Sequence, residues 1–128
     1  MTNIIYNAIR TPDGTILESR YRHDFQTCTD TVSGESYMID GGLDYTRRSI
    51  NTVPAEDLTM TLEDPHEKAR EWVKWGTYGA SGREKLHYIK VKDMTVEHIQ
   101  AILSTQLKIA PQFKILLTRE LEWREKHD

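Results

Sequence analysis

The chain has 128 residues, 38% hydrophobic and 29% charged, which suits one ordinary globular domain or two small halves sharing a core. No run nears the roughly 18 apolar residues of a membrane span, and the opening MTNIIYNAIR lacks a signal-peptide pattern, so a cytoplasmic location is expected. A net charge of −3 argues against a general nucleic-acid binder, and the single cysteine, Cys28, can neither staple the fold internally nor build a cysteine-rich zinc site.

Residues 3–10 are β-prone. Thr11-Pro12-Asp13-Gly14 is a turn, because proline presets φ and Gly14 takes the left-handed position, and residues 15–19 return as the partner strand. Residues 25–29 read as a third strand, 30–35 as a turn, and 36–39 as a fourth strand ending at Asp40-Gly41-Gly42. Residues 49–56 are irregular, and the alternation over 57–62 predicts another strand. Asp64-Pro65-His66-Glu67 has the form of a capping box with proline at N1, predicting a helix through Trp75 that Gly76 stops.

Gly76, Gly79 and Gly82 punctuate the next loop at a spacing seen in phosphate cradles. A loop after a helix and before a strand has the reverse order of a nucleotide loop, which weighs against that use. Residues 86–91 alternate as a strand. Thr95 then caps a helix with Met94 stapled onto Ile99 and a stripe of Ile99, Ile102, Leu103, Gln106 and Leu107. Pro111 opens a further helix bearing Phe113, Leu116, Leu117 and Leu121, with Trp123 off that stripe, facing either a partner subunit or the β half. The expected fold class is α+β: N-terminal antiparallel β-hairpins packed with a C-terminal helical half containing an antiparallel helix pair. A single domain over 1–128 is expected, with a β-rich subregion at 1–62 and a mainly helical one at 63–128 sharing one core.

The chemistry concentrates in two stretches, 18–25 and 39–48. They supply Arg20, Arg22, His23 and Asp24, then Asp40, Gly41, Gly42, Asp44, Tyr45, Arg47 and Arg48. Every lysine lies from Lys68 onward, so the first half carries its positive charge on arginines, whose planar forks match carboxylate or phosphate. Two readings stay open. The arginines bind an anionic ligand, with Tyr21, Phe25 or Tyr45 as a stacking surface and Gly41-Gly42 as bare backbone; or they pair with Asp24, Asp40 and Asp44 in a network that specifies the turns. An acid–base enzyme would use His23 with Asp40 or Asp44, but no nucleophile-elbow pattern is present. His66, His87 and His98 share no ligand spacing, and adjacent His23 and Asp24 point to opposite faces of a strand, so no metal or cofactor is expected.

The run Ile16-x-Glu18-Ser19-x-x-x-His23-Asp24-Phe25, continued by Ile39-Asp40-Gly41-Gly42-x-Asp44-Tyr45-x-Arg47-Arg48, resembles a family of small, mostly uncharacterised proteins of tailed bacteriophages. Many of those carry CxxC and CxC pairs that look like a zinc-ribbon knuckle. Here the first pair is replaced by the Thr11–Gly14 turn and only Cys28 remains of the second, so turn chemistry must hold the hairpins instead. The resemblance implies a phage origin and a location in the host cytoplasm. With the arginine cluster it leads to an expected function: a non-enzymatic binder of an anionic, nucleotide-like ligand, for instance one sequestering a host defence signal. The alternatives are a small hydrolase or nuclease using His23, and a host-protein inhibitor anchored by Trp72, Trp75 and Trp123 of the helical half. A homodimer is expected, because a chain of this size gains by covering part of its helical face with a copy.

Overall fold

The computed structural model describes residues 3–79, 82–106 and 108–127. Its contacts divide the chain into two compact units, one up to Glu63 and one from Asp64 onward. The first holds antiparallel strands in small sheets and the second holds the helices, an α+β composition.

In the first unit the β-prone opening is broken at Asn7 into β1 (Ile4–Tyr6) and β2 (Ala8–Arg10). Strand β2 pairs with β3 (Ile16–Glu18) through the predicted 11–14 turn, in the register Ala8↔Glu18, Ile9↔Leu17, Arg10↔Ile16. Strand β4 (Gln26–Thr29) pairs with β5 (Ser36–Asp40), and β5 pairs with the short β6 (Arg47–Arg48). The alternating segment at 57–62 is not one strand. It splits into β7 (Glu56–Asp57) on β2 and β8 (Met60–Thr61) on β1, because its two partners are themselves separated at Asn7. Ile9, Leu17, Tyr37 and Ile39 form the core, with Cys28 and Ala55 packed against it. Burial, followed by the charges of Asp13 and Asp30, pushes the Cys28 thiol up, away from the reactive thiolate.

Two aspartates clip the hairpin turns together. Asp13 accepts from Thr11 Oγ1 at 2.7 Å, Thr15 N at 3.0 Å and Thr31 N at 2.9 Å. Fully buried Asp30 accepts in return from Asp13 N at 2.7 Å and from Ser33 N at 2.6 Å. Each turn thus holds the other's backbone, which is the turn chemistry expected in place of cysteine ligands. The Thr31 amide, then the Thr15 and Thr11 hydroxyls, hold the Asp13 carboxyl well below the usual carboxylate range.

The second unit opens with α1 (His66–Trp72), shorter than predicted. Pro65 occupies the N-cap without a side-chain cap bond, so the capping box does not form. Gly76 is not the helix stop: the chain leaves the helix at Val73 and runs on as β9 (Lys74–Thr77), paired with β10 (His87–Lys90). Strand pairing, extended by Val91 N to Val73 O at 3.0 Å, overrides the helical period. The glycine-punctuated loop therefore joins two strands, and its Ala80 and Ser81 lie outside the described residues. A 3-10 turn (Val91–Asp93) leads to α2 (Val96–Thr105), where Thr95 accepts from His98 N at 3.1 Å as the predicted N-cap. Ile99 and Ile102 are buried, whereas Gln106 is exposed past the helix end and Leu107 lies outside the described residues.

Helix α3 (Pro111–Lys126) starts at its proline as predicted. It buries Phe113, Leu116 and Leu117, and also Glu120 at 0% exposure. Arg70 grips that carboxylate with two bonds of 2.9 Å, Arg124 Nε adds one of 2.6 Å and His66 Nε2 one of 2.9 Å. Burial pushes the Glu120 carboxyl up, but bonds from Arg70, Arg124 and His66 outweigh it and leave it below the usual range. Trp123 lies under the Arg70 guanidinium at 3.8 Å and stacks on His127.

Two stability measurements follow. Glu120→Ala leaves two half-buried guanidiniums without their shared carboxylate and is expected to cost about 3 kcal/mol in urea unfolding. Asp13→Asn lowers the melting temperature at neutral pH. Because the Asp13 pKa is depressed on folding, its contribution is present above the unfolded value of about 4 and fades as pH falls through the folded one, so the gap between mutant and parent narrows in acid.

Candidate functional site

The break at Asn7 builds the frame. Asn7 is 1% exposed, and its Nδ2 donates to the carbonyls of Gly42 at 3.0 Å, Asp40 at 3.3 Å and Tyr45 at 3.3 Å. Ser19, also buried, bridges the other loop: its Oγ donates to Asp24 O at 2.7 Å and accepts from Gly42 N at 2.9 Å. Loop 19–25 and turn 40–46 are thereby pressed together. The contact is close enough that a Cβ on Gly41 would lie 1.9 Å from Tyr45 O, and one on Gly42 would lie 2.3 Å from Tyr21 C. Both glycines have positive φ, so no other residue fits either place.

On this frame sits an exposed polar face. His23 is held at φ +65°, an uncommon conformation for a side-chain-bearing residue. The surrounding bonds fix it: Asp24 N reaches Tyr21 O at 2.9 Å, and the buried Asp24 carboxylate accepts from Arg20 N at 2.8 Å and Gln26 Nε2 at 2.6 Å. His23 Nδ1 lies 2.8 Å from the Tyr45 hydroxyl, which donates to Asp40 Oδ2 at 3.2 Å. Arg47, opposite Asp40 across the β5–β6 pair, donates to the same oxygen at 2.9 Å while its side chain stays 65% exposed. Asp40 is buried, and its Oδ1 has no partner among the described residues. Burial, then the Asp40 charge, pushes the Tyr45 phenol up, while Arg47 and Arg22 pull it back; both guanidiniums therefore act on this hydroxyl.

The predicted residues thus divide. His23, Tyr45 and Arg47 share the exposed face, and Arg22, exposed in the same loop as His23, makes no hydrogen bond or ion pair among the described residues. Asp24, Asp40, Gly41 and Gly42 form its buried support. Asp44 is exposed at the turn, its amide donating to Gly41 O at 3.0 Å. Arg20 pairs with Glu18 at 3.1 Å. Arg48 lies on the opposite side of β6, across from core residue Ile39. It reaches Asp57 at 2.8 Å and Asn7 Oδ1 at 3.1 Å, and also bonds Thr59. The four arginines do not converge on one pocket, because strand alternation turns Arg48 away from Arg47. Asn7 escaped the sequence reading. Its signal is a single amide inside the apolar run Ile4-Ile5-Tyr6-Asn7-Ala8-Ile9.

Residues 3–50 match a family described as a domain of unknown function (DUF7695). The matched segment covers less than half of the chain and contains the whole of both loops. No curated protein and no solved structure matches the chain. Among the described residues, no helix is long and apolar enough to cross a membrane, and no group of three or more His, Cys, Asp or Glu is placed to hold a metal ion.

Asn7→Ala leaves three carbonyls and the Arg48 fork short of a partner. It is expected to cost about 1–3 kcal/mol in urea unfolding. In amide exchange the loss of protection should centre on residues 40–45 rather than on the β2–β3 hairpin.

Proposed function

We propose that the Arg22–His23–Tyr45–Arg47 face binds an anionic, nucleotide-like ligand without converting it, in a phage accessory protein acting in the host cytoplasm. Sequestration of a host defence signal is the most concrete form of that role. The observation that carries the reading is the exposed Arg47 guanidinium at the end of the His23–Tyr45–Asp40 chain, with Arg22 exposed and unpaired among the described residues in the loop that carries His23. Arg47 spends one nitrogen on Asp40, and its fork keeps further donors for a phosphate. Arg22 has its whole fork to offer. Tyr21 and Phe25, 61% and 53% exposed in the same loop, supply flat apolar surface for a base. The reading of a phage origin rests on the resemblance of the Ile16–Phe25 and Ile39–Arg48 motif.

A second reading has its own observation. The chain from His23 Nδ1 through the Tyr45 hydroxyl to Asp40 Oδ2 orients an exposed imidazole, as a general base in a small hydrolase would require. One experiment separates the two. The protein is incubated with a panel of nucleoside monophosphates and cyclic dinucleotides, and bound material is recovered and weighed by mass spectrometry. Sequestration returns the ligand intact; hydrolysis returns products and stops in His23→Ala. Arg22→Ala with Arg47→Ala is expected to weaken binding at least about tenfold. Arg22→Ala alone, at an exposed position, should weaken it while leaving the melting temperature within a degree or so, whereas Arg47→Ala also takes the guanidinium from buried Asp40 and lowers the melting temperature. No binding of any panel member by the parent protein contradicts the reading.

A further inference from the structure

A cleft of about 530 Å³ opens within the second unit between the β9–β10 hairpin and α2, inside the roughly 300–1,000 Å³ range of ordinary ligand sites. It shares no residue with the loops of the arginine face. Strand pairing builds one wall. Trp75 pairs with Ile89 and Thr77 with His87, so these four side chains share a face. Trp75 packs on Phe113 of α3 with ring centroids 5.2 Å apart, which turns that face to the helices. Lys74 and Lys90 belong to the opposite face. Helix α2 builds the other wall: Ile99 and Ile102 are its buried stripe, and Glu97, His98 and Ala101 flank the cleft.

The polar groups on these walls are mostly acceptors. His87 Nδ1 lies 3.0 Å from Lys85 O, and a carbonyl only accepts, so the hydrogen of that bond sits on Nδ1. The neutral imidazole is thereby fixed as one tautomer, with a bare lone pair on Nε2. Glu97 is an acceptor too, and it carries the only formal charge among the residues lining the cleft. Neither its carboxylate nor the half-buried His98 ring has a hydrogen-bond or ion-pair partner among the described residues. Thr77 Oγ1 already accepts from Gly79 N at 3.1 Å, which leaves its own hydrogen to give. Ile89 and Ala101 supply apolar surface.

We propose that this cleft binds a small organic amine, with the protonated nitrogen held by Glu97 and His87 Nε2 and the hydrocarbon part laid against Ile89 and Ala101. A carboxylate and a bare imidazole nitrogen both call for a donor, and a carboxylate without a cation of its own calls for a positive one. An organic anion would meet that same carboxylate and that same lone pair. A bare metal ion would leave the apolar wall unused, and the described residues place no three ligands around one. The site lies wholly in the second unit and does not depend on the reading of the Arg47 face.

The test is amide shift mapping of the labelled whole protein with phenethylamine, run beside its uncharged and anionic counterparts, phenethyl alcohol and hydrocinnamate. Saturable shifts at millimolar amine are expected over residues 77–79, 87–89 and 95–101, with a weaker response to the alcohol and none to the acid. Glu97→Gln keeps the shape and removes the charge, and it should weaken amine binding at least about fivefold. His87→Phe keeps a ring, removes the acceptor and should weaken binding as well. Ala101→Leu, at an exposed helical position, fills the cleft and should abolish binding with the melting temperature unchanged. Arg22→Ala should leave binding unaltered. The proposal is overturned if millimolar phenethylamine leaves these residues unshifted, if hydrocinnamate shifts them as strongly, if Arg22→Ala abolishes the response, or if any of the three cleft variants binds the amine like the parent protein.

Discussion

One buried amide organises the first unit. Asn7 sits where an apolar run would otherwise continue as one strand, and its side chain satisfies three carbonyls of the 40–45 turn while its own oxygen takes a bond from Arg48. A buried polar group left unpaired costs about 1–3 kcal/mol, so its four contacts fix the turn in one arrangement. Ser19 does the same from the next loop, through Gly42 N and Asp24 O. Everything exposed on the face above, including the unusual backbone of His23, is held by this pair of small polar residues and by two glycines that let the loops touch.

That frame decides which charges are available. Arg48, only 24% exposed, is committed to Asp57, Asn7 and Thr59. Arg20 is tied to Glu18. Arg47 bonds buried Asp40 yet keeps most of its side chain in water, and Arg22 is exposed. The cluster therefore divides: Arg20, Arg48 and the aspartates are tied into the turns, and Arg22 and most of the Arg47 side chain are presented to solvent. The contrast with Glu120 is instructive. There three basic side chains surround a fully buried carboxylate, and that group belongs to the packing of α1 against α3.

Local chemistry was readable where the residues themselves dictate it. The Pro12-Gly14 turn, the Thr95 cap and the Pro111 helix start follow from backbone preferences, and each stands where those preferences put it. What could not be read depends on partners distant in sequence. The helical period runs on past Trp72 through Val73-Lys74-Trp75, but pairing with residues 87–91 draws those three out of the helix and into extended chain. Glu120 looks like a solvent-facing residue until Arg70 and His66, some fifty positions earlier, are brought to it. For the candidate site, the motif marked two loops that the fold presses together, and the separation of Arg47 from Arg48 followed only once β6 was seen to pair with β5. Asp13 and Asp30 looked like ordinary turn residues; their reciprocal clip needs both hairpins in place.

The account is tested most directly by amide chemical-shift mapping of the labelled protein during titration with a nucleoside monophosphate. It predicts saturable shifts confined to residues 20–25 and 40–48, with the Tyr45 and Arg47 amides among the largest. Shifts scattered over the chain, or none at millimolar ligand, would show that the exposed arginine face is part of the turn network and nothing more.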